Sequence, residues 1–341
     1  GVPVEGDILL TSVGSLGIPY MVKKEDRFYF KDGNLTWLRN FDLENIDINY
    51  LMTWIKSSVG KQKLDEVAIG STQQALTISG LKSVEINLPP LEVQKDIASV
   101  LGSIDDKINL LYNQNKTIEK LAEAIFRQYF IEETTEEWRT LKLDEIAEVQ
   151  NGYAFSSKDY VSYQEGHLEV LKMGHIERGG GLRTNPKKDF VYRTDKLKRW
   201  ILNKGDIIMA MTDMKDNVVI LGVPAMIDKD STYVLNQRVA RIYLKSTEIL
   251  INNYLLYIQL KDSDFISNLQ SKANSGVQVN LSTETIKDSD IIIPPIEVQN
   301  QIGKTITDLF LKKEQNDTQM KTLSSLRDTL LPKLMNGIAT M

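Results

Sequence analysis

Between residues 172 and 199 the chain carries nine cationic side chains, Lys172, Arg178, Arg183, Lys187, Lys188, Arg193, Lys196, Lys198 and Arg199, against three acidic ones, Glu177, Asp189 and Asp195. Phe190, Tyr192 and Trp200 are interleaved with them. Such a strip can neutralise phosphates and release their counterions. A solvated loop without a partner is the plainer alternative. His175, within the strip, has no Ser or Cys partner that spacing nominates, so it reads as a polar contact rather than a general base. Lys215, Asn217 and Arg238 extend the set of groups that can reach a polyanion. A second chemistry lies in two polar loops, one with Thr72, Gln73 and Gln74, the other with Gln278 and Asn280. Gln and Asn amides can pair in bidentate fashion with adenine in the major groove, although the same residue types also serve turns and caps.

Catalytic constellations are missing. The sequence has no Gly-x-Gly-x-x-Gly after a strand, no phosphate-binding Walker loop and no His-Glu-x-x-His. Its two Pro-Pro pairs sit in Leu-Pro-Pro-Leu and Ile-Pro-Pro-Ile, without the flanking polar and aromatic residues that amino-methyltransferases place around a target nitrogen. The run Gly179, Gly180, Gly181 reads as a surface loop, since no Lys-Ser/Thr helix start follows it. With no cysteine and only two histidines, His167 and His175, neither disulfides nor thiolate metal sites can form. The net charge of −5 excludes a binder that is basic overall, so any polyanion contact must be local. No stretch approaches the roughly 18 apolar residues of a membrane helix, and no signal peptide opens the sequence, so a cytoplasmic setting is expected.

The elements that must position these groups are repeated. LKSVEINLPPLEVQKDI at 81–97 is echoed by IKDSDIIIPPIEVQNQI at 286–302, and Gln73 meets Gln278 at the same offset. GDILLT at 6–11 corresponds to GDIIMAMTD at 205–213. The second copy runs from about Trp138 through the segment 145–152 to Pro295. Nothing matching 138–203 precedes Gly1, so the first copy reads as N-terminally truncated.

Each copy reads as mixed, with short β-branched runs at 206–211, 218–221 and 238–244 and a helix over 252–260. Runs at 86–88 and 291–293 read as strands halted by Pro-Pro, because proline cannot donate to a ladder but suits a helix's first turn. Beyond the prolines, Ile97, Leu101, Ile104, Ile108, Leu111, Ile118 and Ile125 recur at alternating spacings of four and three. Ile302, Ile306, Leu309, Met320, Leu323 and Leu330 form the matching stripe. A helix over 92–130 would be roughly 58 Å long and cannot leave that stripe exposed. The pattern predicts an antiparallel helix pair whose polar belts, 113–116 and 315–318, coincide and satisfy one another, or else face solvent. The expected organisation is α+β: a partial globular domain over 1–90, a long helix over 91–131, a second domain over 132–295 and a second long helix over 296–341.

This duplicated pattern, together with WRTLKLDEIAEVQNG at 138–152 and the two Pro-Pro-aliphatic-Glu-Val-Gln signals, resembles the DNA-specificity subunit of type I restriction-modification systems. The resemblance implies two target-recognition domains reading halves of a split double-stranded DNA sequence, spaced by a coiled coil. It implies docking of two DNA adenine methyltransferase subunits and, through them, of the restriction and translocation subunit. S-adenosylmethionine, ATP and Mg would then belong to those partners, and this chain would be non-catalytic. A protein-interaction scaffold, or the recognition portion of a larger restriction-methyltransferase polypeptide, are the alternatives.

Overall fold

Three short helices in each copy start where a side chain accepts a backbone N–H of the first turn, and the caps stand at matching positions. In this computed structural model the described residues are 1–30, 33–70, 74–133, 138–183, 186–214, 218–275 and 278–335. They fall into two units, Gly1–Gln114 with Gln315–Met341, and Asn115–Glu314, with the boundary inside both long helices.

In the first unit, β1 (Ile8–Thr11) pairs antiparallel with β2 (Pro19–Met21) and β3 (Leu35–Leu38). Asp47, Ser57 and Thr77 cap α1 (Ile48–Lys56), α2 (Ser58–Glu66) and α3 (Ile78–Lys82). The core joins Ile8 and Leu10 of β1 to Leu51, Trp54 and Ile55 of α1. The long α4 (Leu91–Arg127) follows Pro89 and Pro90 and closes in a π-helical turn, Gln128–Glu132.

In the second unit, β4 (Arg139–Lys142), the single turn α5 (Leu143–Ile146) and β5 (Ala147–Asn151) form one continuous segment. β6 (Leu168–Leu171) and β7 (Phe190–Val191) precede β8 (Ile207–Ala210), β9 (Thr212–Met214), β10 (Pro224–Met226), β11 (Tyr233–Leu235) and β12 (Val239–Leu244). α6 (Asn253–Lys261), α7 (Ser263–Ser271) and α8 (Thr283–Lys287) are capped by Asn252, Asp262 and Ser282, the counterparts of the three caps above. The hairpin β13 (Asn274–Ser275) and β14 (Gln278–Asn280), the strand β15 (Asp290–Ile293) and α9 (Ile296–Met335) complete it. The sheets are ordered β10-β8-β12-β5, β11-β6-β7, β13-β14-β9 and β15-β4. The largest core packs Leu143 and Ile146 of α5, the α6 face and Ile291 against Ala122 and Phe126 of α4 and Ile302, Ile306 and Phe310 of α9.

Two expected strands are absent. Residues 86–88 are irregular, whereas their counterpart β15 is a strand because it pairs with β4; the described residues of the first copy hold no equivalent of β4. Residues 218–221 turn rather than extend, because the Asp213 carboxylate accepts the N–H groups of Val219, Ile220 and Leu221 at 2.6, 2.6 and 3.2 Å. Burial pushes the Asp213 carboxyl up, but those N–H groups outweigh it and hold it below the usual range.

The long helices run antiparallel. In the first unit Asp105 meets Arg327 at 2.8 Å and Gln114 accepts from Asn316 at 3.0 Å, while Ile97 and Leu101 pack with Leu331 and Leu334. In the second unit Glu119 meets Lys313 at 3.5 Å. Pairing thus descends one helix as it climbs the other. Ile97, Leu101, Leu111, Ile118 and Ile302 are buried, and Ile104, Ile108, Ile125, Leu309, Met320, Leu323 and Leu330 are half-buried, as the heptad spacing requires. Within the polar belts Asn115 is 5% and Asn316 1% exposed, so these amides are core groups and not solvent-facing ones.

The motif glutamines explain why each helix starts where it does. Gln299 lies buried in the first turn of α9; its Oε1 accepts the Ile251 N–H at 3.1 Å, and its Nε2 donates to Ile249 and Pro294 carbonyls at 2.9 and 2.8 Å. Gln94 repeats this with the Asp47 N–H and the Asn45 and Pro89 carbonyls at 3.0, 2.9 and 2.8 Å. Each amide therefore ties the helix start to the loop that enters α1 or α6. Leucine in its place leaves three buried backbone groups unpaired, at about 1–3 kcal/mol for each. Gln299→Leu is expected to lower the urea midpoint of the second unit strongly, by the equivalent of several kcal/mol, far beyond a surface Gln301→Leu control in the same unfolding titration.

Candidate nucleic-acid interface

The cationic strip is built on the β11-β6-β7 sheet of the second unit. It leaves β6 at Lys172, passes a 3-10 turn Met173–His175, returns through β7 and ends in the 3-10 segment Asp195–Trp200. Its glycine run is a hydrogen-bonded turn. Gly179, Gly180 and Gly181 have φ of 86°, 100° and 88°, and the Glu177 N–H reaches the Gly181 carbonyl at 2.9 Å. Three successive left-handed residues explain the choice of glycine.

Aromatic rings floor the surface. Tyr153 meets Trp200 at 5.0 Å and Tyr163 meets Phe190 at 4.8 Å, ring centre to ring centre. Lys172 and Lys196 lie over Tyr160 and Tyr153, at 4.2 and 4.8 Å from the ring centres. Tyr192 stands 60% exposed beside His167.

Folding redistributes the charge. Lys172 pairs with Asp189 at 2.7 Å, Lys198 with Asp195 at 2.8 Å, Lys188 with Glu169 at 3.4 Å and Arg183 with Glu177 at 3.5 Å. These pairs consume all three acidic groups of the strip. Among the described residues, Arg178, Lys187, Arg193, Lys196 and Arg199 remain exposed and outside these pairs, although Lys196 also feels the Asp159 carboxylate. The field available to a phosphate comes from these five.

His175 does not belong to that surface. It is 3% exposed, with Nε2 3.1 Å from Glu169 Oε1 and Nδ1 accepting the Lys172 N–H at 3.2 Å. Burial pulls its pKa below the ordinary 6.5 despite the carboxylate beside it. The histidine props the start of the strip from below instead of reaching a ligand.

Arg238 and Lys172, distant in sequence, share an open depression of about 280 Å³ with Tyr160, Met173, Gly174, Asn236 and Gln237. Sequence reasoning missed Tyr160, Asn236 and Gln237. Their position depends on Gly152, the last residue of the segment that opens the copy. A Cβ there would lie 2.3 Å from the Asn236 carbonyl carbon, so only glycine lets β5 run against the 235–238 loop. Tyr153 then bonds to both sides of that loop, through its N–H to Leu235 and its carbonyl to Gln237.

The polar loop of the second copy lies on a different sheet. Gln278, half-buried, and Asn280, exposed, belong to β14, which pairs with β9 in the register Gln278 to Met214. Asn280 Oδ1 already accepts the Thr212 hydroxyl at 2.9 Å. Lys215 and Asn217, just past β9, and Thr72 and Gln73 in the first copy lie outside the described residues. Gln74 is exposed beside Ala75, which bridges to Ile69 and Val13.

A family model described as the type I restriction modification DNA specificity domain matches residues 2–120 and 135–323. The MjaIX type I restriction enzyme specificity subunit of Methanocaldococcus jannaschii is 24% identical over 98% of this chain and 77% of its own length. The HindI specificity subunit of Haemophilus influenzae is 24% identical over 77% of this chain and 70% of its own length. The crystal structure of a type I restriction-modification S subunit from M. genitalium superposes with a TM-score of 0.54 at 19% identity, covering 97% of this chain and 83% of that one, and so shares the fold.

The buried histidine gives this unit a pH dependence. Its folded pKa lies below its unfolded value, so the stabilisation is complete above about pH 6.5 and is lost as the pH falls toward the folded value, where the unfolded chain binds the extra proton. Urea unfolding at pH 7.5 and 5.5 is expected to show the drop in the parent protein and a smaller one in His175→Gln.

Proposed function

This chain belongs to the type I restriction modification DNA specificity family, and from that premise we propose that its second unit reads one half of a bipartite duplex target through the strip around Lys187 and the Lys172–Arg238 depression. The observation that carries this reading is the group of five exposed cations, two of which, Lys196 and Arg199, lie over the Tyr153 and Trp200 rings. Arg178, Lys187, Arg193, Lys196 and Arg199 supply sequence-independent phosphate contacts that fix register on the duplex. Lys172, Asn236, Gln237 and Arg238 in the depression, and Gln278 and Asn280 on the separate hairpin, supply groups able to read base edges, and Lys215 and Asn217, which follow β9 in the sequence, are assigned to the same role.

In this reading the first unit presents Thr72, Gln73 and Gln74 to the other half-site. The antiparallel helices carry the docking surface for two DNA adenine methyltransferase subunits, and through them for the restriction and translocation subunit. S-adenosylmethionine, ATP and Mg are bound by those partners, and this chain contributes recognition and not catalysis. Within the described residues no helix is long and apolar enough to cross a membrane.

Two measurements test the proposal. Lys187→Glu combined with Arg178→Glu is expected to weaken binding to every duplex sequence and to lower the slope of log affinity against log salt by about one for each phosphate that is no longer neutralised; unchanged affinity removes the strip from the interface. Leu111→Asp with Ile118→Asp puts carboxylates into the buried helix seam and is expected to abolish co-purification with the methyltransferase subunit. A fully assembled, methylating complex from that variant would contradict the helix assignment.

A further inference from the structure

Arg241 of β12 brings a charge that its fold does not require. Its Nε lies 2.9 Å from Asp206 Oδ2 and its Nη2 3.0 Å from Oδ1, and the guanidinium carbon sits 4.6 Å from the Tyr243 ring centre. The first copy holds the same kind of pair in the opposite order. There Trp37 stands in the position of Arg241 and donates to Asp7 at 2.9 Å, while Arg39, two residues on, lies 4.5 Å over the Trp37 ring. A neutral indole thus suffices for the buried aspartate. The arginine adds a cation held from two sides, whose third nitrogen, Nη1, meets no acceptor among the described residues.

Arg241 lines an open depression of about 340 Å³ in the second unit, together with Gln150 and Asn151 of β5, Arg199 and Lys287. Arg199 is exposed and outside the ion pairs, and Lys287 is half-buried with Asp144 at 3.7 Å. The Asn151 side-chain amide has no partner among the described residues, its carbonyl alone accepting from Trp200. Glu148 is the one carboxylate in the lining, and it faces Lys245 at 3.9 Å. Thr283 adds no donor, because its hydroxyl goes to Glu284 at 3.1 Å.

Two guanidinium groups and an ammonium around one depression suit a compact oxyanion with more than one charge. A carboxylate has two oxygens and a single charge to offer them, whereas a phosphate group offers more of both, and planar guanidinium edges match its oxygens.

We propose that Arg199, Arg241 and Lys287 form a phosphate-binding site, with Arg241 as its fixed centre and Asn151 as a neutral donor. The group recognised is the same whether it belongs to a duplex backbone passing off the strip at Arg199 or to a free phosphoryl compound. The first source rests on the DNA-reading proposal, since Arg199 is also a strip residue; the second does not.

Phosphorus NMR of inorganic phosphate titrated into the intact chain, at an ionic strength held constant with sodium chloride, reads the site without DNA. The parent is expected to shift and broaden the phosphate signal saturably. Arg241→Trp copies the first copy's solution and keeps a donor for Asp206, so its urea midpoint should stay near the parent's. Its phosphate dissociation constant is expected to rise about tenfold, as for loss of one charge-assisted hydrogen-bonding group. Lys287→Gln should weaken binding several-fold and serves if the tryptophan variant fails to fold. Absence of saturable binding, or equal binding by the parent and the folded variants, overturns the site. Adding duplex DNA then separates the sources. Release of phosphate as the duplex binds, with a salt slope lower by about one in Arg241→Trp, assigns the site to a backbone phosphate. Retention of phosphate by the duplex-bound chain assigns it to a free phosphoryl compound, and both results support the site. A chain that binds phosphate at Arg241 but no duplex leaves the site standing and removes the DNA-reading proposal alone.

Discussion

Each long helix of this protein depends on one buried amide. Gln94 and Gln299 sit in the first turn of α4 and α9, where the Pro-Pro pair has ended the preceding segment. Each spends its acceptor on one N–H and its donors on two carbonyls, all from backbone that no ladder satisfies. Because a buried unpaired backbone group costs more than a paired one returns, the amide fixes where the helix begins and how the loop before α1 or α6 is held. The prolines contribute a carbonyl to the same clamp, at Pro89 and Pro294. The recurrent motif is thus a joint between a globular fold and a helix.

From that joint the helices carry both apolar and polar specification. The seam buries Ile97, Leu101, Leu111 and Ile118, and the Gln114 to Asn316 bond lies in its polar belt. A buried amide in an apolar seam is tolerable in a register that gives it a partner, so such groups select pairing more than they add stability. Ion pairs refine the fit. Lys261, 5% exposed at its side chain, meets Glu119 and Glu123 of α4 at 2.9 Å each, and although burial opposes it, Tyr257 beside it together with those two carboxylates holds its pKa above the usual lysine range. Its counterpart in the first copy, Lys56, is exposed. The repeat therefore conserves the joint while its two copies fasten the rest differently.

The same divergence appears at the buried aspartate of the Gly-Asp-Ile strands. Asp7 accepts from the Val4 N–H and the Trp37 indole, both at 2.9 Å, whereas Asp206 accepts from the Asn203 N–H and lies 2.9 and 3.0 Å from Arg241. Trp37 and Arg241 occupy the same position opposite β1 and β8. One copy satisfies its carboxylate with a neutral donor and the other with a cation. Even so, burial keeps the Asp206 carboxyl above the usual range.

By itself the sequence determined the duplication, the mixed α and β character and the two long helices, because these follow from repeat offset and heptad spacing, which are local and periodic; the antiparallel sense, expected only because the intervening unit lets the chain return, rests on contacts such as Asp105 to Arg327. It also located the cationic strip, since charge density is read directly from composition. Tertiary structure alone decided which of those charges are free: four pair with carboxylates, and Glu169, one of the partners, precedes the strip in the sequence. It moved His175 from the surface into the core beneath, because a lone histidine's burial depends on what folds over it. It gathered Tyr160, Asn236 and Gln237 beside Lys172, through a backbone approach that only Gly152 permits. It also withheld a strand from 86–88 that the residues themselves favour, because a strand needs an edge to pair with, and among the described residues β4 meets that requirement in the second copy alone.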